Sequence, residues 1–273
     1  MEIWHRVAFN RRDEVDSIVE GMGIGCEKMP LPGNGYVLII NIRESDAVWP
    51  ELAALIREKN AFDLVGTVFT TEEILSAEWV RLVPNRQQGY PQPEETWVRN
   101  PINYADVCPQ CGTHRQVAGF RLKREPKLGK RDFTGLHWTY AVFCTPRVFE
   151  AMEANAIRGH EAWPAVIHST GLPARIVSQL FIPQIAAPAL AEDNDLPKQT
   201  CPVCHVTKYL PHRRGWMYLK REALPRDVEL VRSAEWFGDG HAAYREILIS
   251  HRLAKLILDS GWKGIDLKAA KPV

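Results

Sequence analysis

No stretch of this chain is long and apolar enough to suggest a membrane span. The longest uncharged apolar run, "GYVLIINI" at 35–42, is far shorter than the roughly 20 residues a spanning helix requires. The opening "MEIWHRVAFNRRDEVD" has an acidic second residue and no apolar core of a secretory signal, so a cytoplasmic protein without membrane contact is expected. The common catalytic signatures are missing too: there is no G-x-S-x-G, no Walker A loop and no H-E-x-x-H. "GMGIG" (21–25) has G-x-G spacing but follows a helix-like segment and opens no helix, which fits a helix end and loop better than a phosphate cradle. With no recognisable catalytic set, a non-enzymatic protein is expected. The chain also lacks net charge, at +1 overall.

That balance is uneven. Residues 119–133 carry six basic and two acidic side chains, and residues 208–222 carry five and one, so each strip is net +4 and the remainder sums to −7. At 273 residues and 45% hydrophobic the chain can fill one large core or two modest ones.

Alternation of type marks the first part: strands at 3–9, 35–42 and 62–70, and helices at 11–23, 44–60 and 70–83, the last opened by the Thr70/Glu73 capping box. This predicts a small α/β layer domain over 1–90. The Pro- and Gln-rich "PNRQQGYPQPEETW" (84–97) reads as its boundary. Over 91–273 the pattern predicts a mixed α+β domain. Strands are expected at 137–144 and on both sides of a turn at 170–173. A helix is expected at 145–156, with Thr145 as N-cap and Pro146 first, and the end reads as strand, helix capped by Ser250, and final strand. The fold class is therefore α+β.

Six cysteines are present, and four fall in two matching turns, "CPQCG" (108–112) and "CPVCH" (201–205). A C-x2-C turn delivers two thiolates from one tight loop, and two such turns complete a tetrahedral zinc shell. The expected ligands are Cys108, Cys111, Cys201 and Cys204, holding a closed, structural Zn2+ inside a zinc-ribbon-like unit with a long insertion between the turns. Redox chemistry of the CxxC kind needs the first Cys at a helix start just after a strand, which "NPINYADV" and "GTHRQVAGF" do not suggest. His114, His205 and His212 lie close enough in sequence to replace one cysteine. Cys144 reads as a buried thiol at a strand end, and Cys26 as a loop residue without a partner.

Each turn is followed by a short polar stretch and then by "LKRE" (122–125 and 219–222), a weak internal echo. Zinc with four thiolates carries net −2, so basic strands beside the turns are electrostatically favoured. The alternative is that Arg121, Lys123, Arg124, Arg213, Arg214, Lys220 and Arg221, interleaved with aromatics, make a zinc-ribbon nucleic-acid binder.

Over 101–273, the two turns, "GHEAWPAVIHSTGLPARIVSQLFIP" (159–183) and the terminal "REILISHRLAKLILDSGWKGIDLKAAKPV" together resemble the bacterial double-CxxCG motif proteins. The second turn departs from that pattern, ending in His205 where the motif has Gly. The resemblance implies an immunity protein whose partner is a cognate toxin encoded beside it, and it implies Cys108, Cys111, Cys201 and Cys204 as zinc ligands.

Overall fold

The computed structural model describes residues 1–10, 14–33 and 35–273, the side chains of 97–99 apart. The chain divides into two compact units: residues 1–70 with 213–215, and residues 71–212 with 216–273. The fold is α+β, with strands dominating.

In the first unit the order is β1 (Glu2–Asn10), α1 (Asp16–Gly21), β2 (Cys26–Leu31), β3 (Gly35–Arg43), α2 (Trp49–Lys59) and β4 (Phe62–Val68). The strands form one sheet in the order β2-β3-β1-β4, every neighbouring pair antiparallel. This is the split β-α-β-β-α-β arrangement of ferredoxin-like sheets. The alternation predicted in the sequence was real, but one strand was missed. "CEKMPL" contains Pro30, carries Glu27 and Lys28 and is exposed along its length, features of an edge strand that hydrophobic periodicity does not register. One sheet face and both helices bury Val7, Phe9, Val19, Leu38, Ile40, Ile42, Leu52 and Leu55 together. Thr67 closes the unit by bonding the returning segment: its hydroxyl donates to the Arg213 carbonyl (2.9 Å) and accepts from the Gly215 N–H (2.8 Å).

The second unit begins with α3 (Thr71–Ser76), β5 (Trp79–Pro84), β6 (Tyr104–Ala105), β7 (Arg115–Gln116), β8 (Arg121–Leu122), β9 (Phe133–Gly135) and β10 (Val142–Cys144). It continues through α4 (Pro146–Ala154), β11 (Glu161–Ile167), β12 (Pro173–Phe181), β13 (Lys198–Thr200), β14 (Thr207–Tyr209) and β15 (Met217–Leu219). Last come β16 (Leu230–Arg232), β17 (Trp236–Phe237), β18 (Ile247–Ser250), α5 (His251–Asp259) and β19 (Ile265–Pro272). Two five-stranded sheets, β15-β19-β5-β18-β16 and β8-β11-β12-β10-β9, carry most of the unit.

The helix expected over 70–83 stops at Ser76, and its second half is strand β5. Trp79, Val80, Arg81 and Leu82 are all buried there, between β18 and β19. Arg81 imitated the polar face of a helix, but it is a core residue paired at 2.6 Å with buried Glu246. The divide between units accordingly falls at Thr70, ahead of the Pro- and Gln-rich stretch. That stretch packs along β9 instead, the Gly135 N–H donating to the Arg86 carbonyl and the Gln88 N–H to the Gly135 carbonyl. The strand expected over 137–144 shrinks to β10, because Trp138 and Tyr140 adopt positive φ (70° and 55°).

Several expected details hold. Thr145 takes the N-cap position of α4 ahead of Pro146, though its hydroxyl makes no cap bond; the hairpin turn joins β11 to β12, and the Ser250 hydroxyl caps α5 by accepting from the Leu253 N–H. No helix among the described residues is long and apolar enough to cross a membrane.

Candidate metal centre

The two cysteine turns sit at the tips of matching hairpins. One runs β6–turn–β7 and the other β13–turn–β14. Their backbone bonds repeat: the Cys108 N–H donates to the Thr113 carbonyl and the Gly112 N–H to the Cys108 carbonyl, while the Cys201 N–H donates to the Val206 carbonyl and the His205 N–H to the Cys201 carbonyl. Each turn thereby closes on itself and aims two sulfurs the same way.

Facing one another, the turns bring the four sulfurs within 4.8 Å of each other. Cys108 Sγ lies 3.8 Å from Cys201 Sγ, and Cys111 Sγ lies 3.5 Å from Cys204 Sγ. A tetrahedral thiolate shell with metal–sulfur bonds of about 2.3 Å has edges of about 3.8 Å. A disulfide, at about 2.05 Å, is far shorter, and all six cysteines are free thiols. The cluster therefore has the donor set, spacing and burial to hold one metal ion. Cys108, Cys111 and Cys201 are buried and Cys204 is half-buried.

Backbone N–H groups tune the sulfurs. The N–H of Cys111 draws the Cys108 thiol below its ordinary range, and the N–H of Val206 pulls Cys204 down to about 6. The Val203 N–H lies 3.4 Å from the Cys201 sulfur. Burial, by contrast, pushes Cys111 up to about 11. A cation bound among the four would override that difference, since a coordinating thiol is deprotonated outright.

None of the three neighbouring histidines joins the cluster. His205 is exposed and takes a left-handed backbone, φ 59°, matching Gly112 at 76°. The ring of His114 is held by the Gly112 carbonyl, to which its Nδ1 donates at 2.8 Å, and lies between Tyr104 and Trp236. His212 lies against buried Arg81, and burial with that positive neighbour pulls it down to about 4.

The residue that sequence reading overlooked is Lys208, on β14. Its buried ammonium donates to three carbonyls, Cys111 (2.8 Å), Gly240 (2.7 Å) and Ala242 (2.8 Å). It thus ties the first cysteine turn, the second hairpin and the 238–243 loop into one body. Its positive charge offsets the thiolates, which in turn oppose the burial that lowers its own pKa. Nothing local marks it out in the sequence; it is one lysine in a basic strip.

Cys144 lies fully buried on β10, where burial pushes its thiol well up, and Cys26 is exposed on β2. The basic residues singled out in the sequence are in part neutralised by ion pairs: Arg214 with Glu44, Arg221 with Glu78 and Lys123 with Glu94. Arg213 and Arg214 belong to the first unit, and Arg121, Lys123, Arg124, Lys220 and Arg221 to the second.

A scan against protein-family models and a search of curated proteins each return no match to this chain. The functional reading therefore rests on the residues themselves.

Proposed function

We propose that this is a non-enzymatic cytoplasmic binding protein, an immunity protein that neutralises a cognate bacterial toxin by direct contact. Its second unit is fixed by a structural Zn2+ held by Cys108, Cys111, Cys201 and Cys204. The closed four-sulfur shell leaves no position for a substrate or water, which is the arrangement of a structural site.

The observation that carries the binding reading is the open face of the first unit's sheet. The pairing registers put Trp4, Met29, Leu31, Phe62, Leu64 and Val68 on the face opposite the helices, and all six are exposed. Side chains of this size gathered on one exposed sheet face mark an interaction surface. Edge strand β4 contributes three of them.

The test is co-expression with the product of a neighbouring reading frame that encodes a secreted toxin. Protection of the host and co-purification of the two chains are expected, with both lost in Phe62→Asp and Leu64→Asp variants that keep the parent melting temperature. Absence of such a frame, or protection that survives both substitutions, overturns the reading. Metal analysis is expected to return one zinc per chain, and Co2+ substitution to give the absorption of a tetrahedral thiolate site.

A further inference from the structure

Beside the first cysteine turn, within the second unit, lies a cavity of about 70 Å³ lined by Arg232, Arg245, His114, Gln116, Gln179 and Thr139 among others. Its electrostatics are one-sided. Two guanidinium groups line it, and no Asp or Glu does. Both arginines are half-buried, and neither forms an ion pair among the described residues.

Both guanidinium groups are held in place. Arg245 lies over the Trp236 ring, 4.3 Å from its centroid, and donates through Nη1 to the carbonyls of Ser233 (2.9 Å) and Ala234. Arg232 lies over the Phe181 ring at 5.3 Å. Stacking of this kind fixes the plane of the guanidinium and leaves its N–H edge for a ligand. On Arg232 that edge is unspent: Nε is buried and has no hydrogen-bond acceptor. Gln179 is similarly placed. Its amide oxygen accepts from the Phe120 N–H and from Gln116 Nε2, which commits the oxygen and keeps the amide N–H2 as the group left to donate.

We infer that this cavity is a binding site for a small oxyanion, a phosphate or a carboxylate, held by Arg232 and Arg245 with Gln179 as a further donor. A planar fork of N–H donors matches the oxygens of either group, and the apolar walls strengthen the attraction by excluding water. An anion there removes two costs at once, the unsatisfied buried N–H and the repulsion between like charges. Burial, with the repulsion of Arg232 adding to it and the Glu235 carboxylate opposing it, pulls Arg245 down to about 10. The volume suits one small anion or the tip of a larger molecule. The site is independent of the toxin-binding face.

The test is thermal denaturation and titration calorimetry of the metal-loaded full chain with sodium phosphate and, separately, sodium acetate, each against NaCl at matched ionic strength. A saturable rise in melting temperature of about 2–4 °C and one-to-one heats are expected with at least one of the two anions. Whichever binds more tightly identifies the source chemistry. R232Q and R245Q should weaken the binding at least tenfold. Should either variant fail to fold, R232K and R245K keep the charge while losing the fork, and intermediate weakening is expected. No saturable response beyond NaCl, or equal binding in wild type and variants, overturns the proposal.

Discussion

Gly112 and His205 stand at the same step of two matching turns, each donating its N–H to the carbonyl of the first cysteine and each with positive φ. Their surroundings differ. A Cβ on Gly112 would lie 2.0 Å from the His241 carbonyl oxygen, so only glycine fits there. His205 is exposed, and it accepts the same backbone twist at a modest cost.

The two turns should therefore respond oppositely to substitution. Gly112→Ala adds a left-handed alanine and a backbone clash, and is expected to destabilise the protein by roughly 2–5 kcal/mol and to weaken metal retention. His205→Gly should stay within about 1 kcal/mol of wild type. Chemical denaturation with metal analysis of both variants checks the pair. Metal loss from His205→Gly would show that the imidazole does serve the site.

Cys108→Ser or Cys201→Ser should release the metal and destabilise the second unit by several kcal/mol, since metal binding and folding of the hairpins are one equilibrium. Thermal melts and metal content give the answer together. A double variant with an unchanged melting temperature would rule out a structural metal.

Lys208→Met keeps the side-chain length but orphans the carbonyls of Cys111, Gly240 and Ala242. A loss of roughly 2–4 kcal/mol is expected from three carbonyls stranded in or near the core. Hydrogen exchange should show faster opening of the 238–243 loop.

Glu246→Ala leaves the Arg81 guanidinium buried and unpaired, at a cost of roughly 3–5 kcal/mol. The joint replacement of Arg81 and Glu246 by Met and Leu should recover much of that, because it removes both charges. Denaturant midpoints of the single and double variants measure the coupling.

Stability should also fall with acid through His212. Its folded pKa, about 4, lies below the ordinary 6.5, so protons prefer the unfolded chain. The His212 contribution is complete above pH 6.5 and is lost progressively as the pH falls towards 4. With metal held saturating, His212→Gln should flatten the stability profile across that window. An unchanged slope would place the acid sensitivity elsewhere.

Much of this architecture was legible in the chain. The paired C-P-x-C turns named the four-cysteine cluster, because a tight turn with two sulfurs is a local device that needs only its own residues. The helix start at Thr145-Pro146, the Ser250 cap and the hairpin around residues 170–173 were readable for the same reason, each being settled within one or two turns of backbone. Strand β5 was not. Its residues alternate too little to betray a strand buried on both faces, and its partners β18 and β19 lie far along the sequence.

The sequence by itself determined which four cysteines gather with the spacing a metal ion would need and that the fold mixes helix with strand. Only the tertiary structure decided that Gly112 cannot be replaced while His205 can. It alone placed Lys208 on three carbonyls and set Arg232 and Arg245 around one cavity without a carboxylate. Those are contacts between residues distant in sequence, and their energies come from burial and charge that exist only once the chain has closed around them.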